Sequence, residues 1–219
     1  HRIAKTYRFG PTLAGLSSSF IMQDRAQIRK QIQSQKEDSL EPVVEVCGDS
    51  ERLDLEVLTH FFESLPRDSL ILLLGRFQVD QFRLLHCTQF NLTSNGIEFK
   101  TRPDLKIRFL TIHQSKGLEA DYVILLNNRE AKLGFPAHVK DPPLKTELIK
   151  IAEELGLDQA SVNEERRLFY VALTRAKKQV ILLTVDGKES SFIKELRRKF
   201  RQDFTTFYLS HFEKYLNLK

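Results

Sequence analysis

The sequence predicts an α/β domain built on a mostly parallel sheet with helices on both faces. Three observations predict it. Short apolar runs alternate along the chain with longer segments of helical period. The runs are β-branched and leucine-rich without polar alternation, so each strand needs cover on both faces, as a parallel sheet requires. Finally, 219 residues with 41% apolar and 10% aromatic content suffice for one substantial core.

The elements follow in order. A helix is expected over Thr12 to Ile32, a strand over Val43 to Cys47 and a helix over Glu51 to Leu65. The unbroken apolar run Leu70 to Leu74 marks a strand over Ser69 to Leu74. Residues Asn91 to Asp104 are polar, and Asn95-Gly96 signals a turn, so a short hairpin or an excursion from the sheet is expected. Strands Ile107 to Ile112 and Tyr122 to Leu126 come next. Asn127 to Pro143, with Gly134, Pro136, Pro142 and Pro143, reads as a loop at the carboxyl end of a strand, where open α/β sheets hold ligands. A helix over Leu144 to Leu155 precedes one over Glu164 to Lys177. Asn163 can cap the latter's amino end, and Glu164 and Glu165 complement its partial positive charge. From Leu168 to Leu173 this helix is apolar nearly all round except for Tyr170, which implies burial. A strand over Gln179 to Thr184 and a helix over Ser191 to Phe200 complete one domain across residues 1–201. Residues 202–219 form an aromatic, basic tail with no assigned role. The chain opens at His1 within what reads as a motif, so a further segment is expected upstream.

Composition narrows the function. Lys and Arg number 34 against 29 Asp and Glu, a formal charge of +5 that mildly favours an anionic partner such as nucleic acid or nucleotide. Cys47 and Cys87 stand alone, without the paired spacing of a zinc site or the density of a disulfide scaffold, and read as reduced packing residues. No metal site is expected. The apolar runs are too short to span a bilayer and no signal peptide opens the chain, so a soluble, cytoplasmic protein without a membrane partner is expected.

Three segments carry chemistry. Arg175 lies seven residues after Leu168, on a face directed inward, where a guanidinium needs an anion. It either pairs structurally with a carboxylate or free carbonyls, or delivers charge to a phosphate. Thr111, His113, Ser115 and Lys116 crowd donors at a strand end, and Gly117 permits an unusual turn or a close approach to a ligand. This is either a plain turn or a contact that follows a nucleic-acid backbone. Tyr7-Arg8 could stack on a purine and reach a phosphate, or be a chance surface pair.

In order and wording these segments resemble motifs of UvrD/Rep-type superfamily 1 helicases. Tyr7 and Arg8 match motif IV, Thr111 to Asp121 motif V, and Glu164 to Lys177 motif VI. Gly134-Phe135-Pro136 and the Ser191 to Leu196 segment resemble the helicase IV branch in particular. The resemblance implies a RecA-like fold of the P-loop NTPase type, the second motor domain of a bacterial ATP-dependent DNA helicase serving DNA repair. It also implies 3′ to 5′ translocation on single-stranded DNA.

Its implied roles are specific. Tyr7 stacks on adenine, Arg8 and Arg175 contact the γ-phosphate as the catalytic pair, Glu119 binds the ribose hydroxyl and Gly117 lies beside the nucleotide. Thr111, His113, Ser115 and Lys116 contact DNA. The partners are ATP, single-stranded DNA and an amino-terminal RecA-like domain of the same polypeptide.

The chain holds no G-x-x-x-x-G-K-[ST] loop, and Tyr122 to Leu126 ends on Asn127 rather than on Asp-Glu. The Mg2+ ligands are therefore expected outside this chain, no cofactor is needed for folding, and the chain alone is expected to be inactive. The large helical insertion of many relatives before motif V is absent, since Gly75-Arg76-Phe77 stands only a short stretch before Leu110. A RecA-like module kept for nucleic-acid or partner binding without motor activity is the alternative.

Overall fold

A computed structural model describes residues 5–24, 27, 32–38, 41–48, 53–85, 88–93, 96–137 and 159–216. Its strands are β1 (Lys5–Thr6), β2 (Gln33–Ser34), β3 (Val43–Gly48), β4 (Leu70–Gly75), β5 (Phe90–Thr93), β6 (Gly96–Phe99), β7 (Lys106–Thr111), β8 (Ala120–Leu125), β9 (Ala176–Val185) and β10 (Thr205–Tyr208). Its helices are α1 (Pro11–Ile21), α2 (Leu53–Ser64), α3 (Asp80–Leu85), α4 (Gln159–Leu173), α5 (Ser191–Lys199) and α6 (Leu209–Leu216). Eight strands form one sheet in the order β10-β3-β9-β8-β4-β7-β6-β5, with β6 antiparallel to both its neighbours and every other pair parallel. The short β1 and β2 pair separately, in parallel.

Alternate residues of each central strand enter opposite layers, which is why these runs show no polar alternation. On β4, Leu72 and Leu74 pack with Leu13 and Phe20 of α1, Phe169 of α4 and Phe192 of α5. Ile71 and Leu73 face the other way, toward Phe61 and Phe62 of α2 and Phe212 of α6. Val180 and Leu182 of β9 join the first layer, Ile181 and Leu183 the second. Each such side chain, fully buried, is worth roughly 1.5–3 kcal/mol. Among the described residues, no helix is long and apolar enough to cross a membrane.

Several boundaries differ from the sequence expectation. The helix expected over 12–32 ends at Ile21, because Asp24, 2% exposed, ties the chain to α4 by accepting from Asn163 (2.8 Å) and Arg167 (3.1 Å). Asn163 therefore lies inside α4, which starts at Gln159, and is not its cap. The same helix stops at Leu173, short of the expected Lys177. The Thr174 hydroxyl donates to the Tyr170 and Val171 carbonyls (2.9 and 3.1 Å), and Ala176 already pairs with Ala120 in the sheet. The polar stretch after Phe90 is an antiparallel hairpin of β5 and β6. Residues 205–216, given no role by the sequence, supply edge strand β10 beside β3 and helix α6 against α2. The helix expected over 144–155 and Cys87 lie outside the described residues.

Gly134 has a structural reason. A Cβ there would stand 2.0 Å from the Arg129 carbonyl oxygen, so only glycine lets the loop fold tightly. Phe135 then enters the core against Phe169 and Phe192, with centroids 5.5 and 6.2 Å away.

Candidate nucleotide site and strand-contact loop

Four distant segments meet at the amino ends of β8 and β9. Glu119 immediately precedes β8, and Arg175 immediately precedes β9. The two strand starts are joined by the Ala120 amide donating to the Arg175 carbonyl (3.0 Å). Tyr7 and Arg8 follow β1 and are held between two anchors, the β1–β2 pairing and Phe9, which is 4% exposed. The Ser34 hydroxyl donates to the Phe9 carbonyl at 2.7 Å.

These segments enclose an open concavity of about 650 Å³, lined by Lys5, Thr6, Tyr7, Arg8, Phe9, Ile32, Lys36, Glu119, Tyr170, Thr174, Arg175 and Lys177. Five of these side chains are cationic and one is a carboxylate, a balance that suits a polyphosphate. The loop of residues 127–137, at the opposite ends of the strands, is not part of it.

Thr174 organises the two arginines. Its carbonyl accepts from Arg8 Nη1 (2.9 Å), and its hydroxyl oxygen lies 3.3 Å from Arg175 Nη2. Arg175 also donates Nε to the Val171 carbonyl (3.0 Å) and Nη1 to the Leu118 carbonyl (3.1 Å). Its pKa is lowered by burial first and by the neighbouring Arg8 second. Two like charges half-withdrawn from water are in place for an anion to bridge.

Glu119 joins Arg8 Nε (3.0 Å) to Lys177 Nζ (2.5 Å). The hydrogen bonds from Lys177 and then Arg8 hold its carboxyl below the usual carboxylate range. Tyr7 is 74% exposed, so its ring is open to a stacking partner. Gly117 takes φ +84°, in the left-handed region, on the crossing from β7 to β8; it does not line the concavity.

The donor-rich loop after β7 lies apart from the concavity. His113 and Lys116 are exposed, while Thr111 is half-buried and its hydroxyl donates to Gln114 Oε1 (3.1 Å). Ser115 is 0% exposed and its hydroxyl donates to the Ile112 carbonyl (2.7 Å), so it pins the turn rather than facing solvent. Burial first, then Arg76 and Lys116, push the His113 pKa down against Glu164 and Glu165. Arg76 is held by Glu165 through contacts of 2.7–3.1 Å, and Glu165 also accepts from the Ala137 amide (3.0 Å).

Sequence reasoning missed Lys5, Lys36 and Lys177 as lining residues. Lys177 stands in the motif string and was legible there. Lys36 sits in a short polar segment with no signal of its own, brought in by the β1–β2 pairing. Elsewhere Cys47, Asp186 and Glu189 place ligand-type atoms within 4.8 Å of one another. Arg197 donates to Glu189 (2.9 Å), and burial pushes the Cys47 thiol pKa up.

The family model of the UvrD-like helicase C-terminal domain matches residues 78–187. DNA helicase IV of Escherichia coli (strain K12) is 32% identical over 194 residues, 88% of this chain and 25% of that protein. A probable DNA helicase II homolog of Mycoplasma pneumoniae is 34% identical over 115 residues, 50% of this chain and 14% of that protein. The chain thus spans about a quarter or less of the length of these relatives. The crystal structure of the C-terminal domain of a possible DNA helicase from Lactobacillus plantarum WCFS1 matches with TM-score 0.53 at 19% identity, over 92% of this chain and 98% of that one. This last likeness is one of fold.

Proposed function

The chain belongs to the UvrD-like helicase C-terminal domain family, and we propose that it is the second motor domain of an ATP-dependent DNA helicase, completing an ATP site whose phosphate loop sits on a first RecA-like domain. One observation carries the reading. Arg8 and Arg175 converge on a single cation-rich concavity with the Tyr7 ring exposed beside them.

Phosphoryl transfer is accelerated mainly by positioning and by positive charge where negative charge develops. Arg8 and Arg175 are the groups that touch the phosphates. The carbonyls of Thr174, Val171 and Leu118 fix their forks beforehand, so little ordering remains at the moment of reaction. Tyr7 stacks on the base, and Glu119 offers its carboxylate to the ribose. Bound Mg2+ would neutralise phosphate charge. Glu119, the sole carboxylate lining the concavity among the described residues, is committed to two cations, so the metal's ligands belong to the first domain. Nucleotide binding draws the two domains together and hydrolysis releases them. Thr111, His113 and Lys116 meet the DNA backbone, while Ser115 shapes their turn.

In the full-length protein that carries this domain, Arg175→Ala is expected to lower DNA-stimulated ATP turnover by about three to five powers of ten, with DNA affinity largely kept. Near-normal turnover in that variant overturns the reading and favours a binding module without motor activity.

A further inference from the structure

Tyr170 interrupts an apolar run on α4, and no role above uses it. It lines the same concavity as Arg8, Thr174 and Arg175. Four residues apart, Tyr170 and Thr174 share one helix face, and Thr174 is the residue to which both arginines are tied. The Tyr170 side chain is half-buried, and its hydroxyl has no hydrogen-bond partner among the described residues. A phenylalanine would fill the same space. Without a partner among the described residues, that hydroxyl reaches the solvent of the concavity, where it can donate to a bound anion. Burial raises its pKa while Arg175 and Arg8 pull it back, so near neutrality it is an uncharged phenol with a proton to donate.

We propose that Tyr170 donates its hydroxyl to a phosphate oxygen of the nucleotide bridged by Arg8 and Arg175, as a third protein donor at that anion. The proposal rests on the nucleotide-site reading above. A neutral donor in the same wall as the two guanidinium groups adds a hydrogen bond without adding to their mutual repulsion, which a third cation would increase.

The test is Tyr170→Phe in the full-length protein, alongside Arg175→Ala. The measurements are DNA-stimulated ATP turnover, affinity for a fluorescent ATP analogue, affinity for single-stranded DNA and the urea midpoint. Loss of one hydrogen bond to a charged group is expected to raise KM for ATP about tenfold, with a smaller change in kcat. DNA affinity and the urea midpoint should stay as in the parent, since the ring is kept. If Tyr170→Phe matches the parent in KM while Arg175→Ala collapses turnover, the hydroxyl does not touch the nucleotide; the inference fails and the site reading stands. If Tyr170→Phe lowers the midpoint and weakens ATP and DNA binding alike, the residue acts through packing and the inference fails again. If Arg175→Ala leaves turnover intact, the site reading itself falls, and the inference with it.

Discussion

His113 stands on the exposed loop after β7, yet partial desolvation and the nearby Arg76 and Lys116 hold its pKa below the ordinary histidine range. The folded chain therefore binds this proton less readily than the unfolded chain. Stability is fully present above about pH 6.5 and is lost as pH falls through that value. Urea midpoints between pH 5.5 and 8 should fall toward the acid end, and His113→Gln should flatten that fall; parallel slopes would show that His113 has no share in it. In the proposed contact with DNA, His113 would offer a hydrogen bond rather than a charge at neutral pH. Residue roles of this kind were only partly legible. Tyr7, Arg8, Glu119 and Arg175, which line one concavity, could be picked out from their strings, though not the contacts that hold them there. That Ser115 points inward while Lys116 points outward depends on the turn that follows Thr111. Spacing along the chain does not specify that turn.

At the scale of elements, α5 is fixed to the sheet by one polar network. Glu45 on β3 is 0% exposed and accepts from Arg197 Nε and Nη2 (2.8 and 2.7 Å), from the Thr184 hydroxyl (2.7 Å) and from the Thr206 hydroxyl (3.0 Å). Arg197→Ala would leave a buried carboxylate short of its cation, a loss of about 3–5 kcal/mol. Urea unfolding should show a drop of that order. A loss under about 1 kcal/mol would mean that water replaces the guanidinium. The exposed Lys106–Asp68 pair, 3.8 Å apart with side chains 65% and 75% exposed, belongs to the class worth at most about 1 kcal/mol and makes a fitting control. The central strands were legible because burial on both faces imposes unbroken apolar runs. Helix ends were less so. α1 stops where buried Asp24 meets α4, and α4 stops where Ala176 pairs with Ala120; both are tertiary contacts that override local propensity. The network around Glu45 left no local sign either, since its members come from β3, β9, β10 and α5.

For the whole molecule, the arginines lie in an open concavity rather than a closed pocket, as expected of one wall of a site completed by another domain. The 219-residue chain by itself is expected to show no ATP turnover, with or without single-stranded DNA, whereas the full-length protein should show strong stimulation by DNA. Measurable turnover by the chain alone would place a complete site within it and refute the two-domain reading. From the sequence alone came the α/β class, the two-sided burial of the strands and the helicase family. Apolar periodicity and contiguous motif strings are local properties, readable residue by residue. Only the tertiary structure decided the strand order, the edge strand and helix after residue 202, and the meeting of Arg8, Glu119, Tyr170 and Arg175. The ends of that set lie 167 positions apart. Which strands become neighbours is set by crossovers and by competition among buried faces, and no short window of sequence contains either.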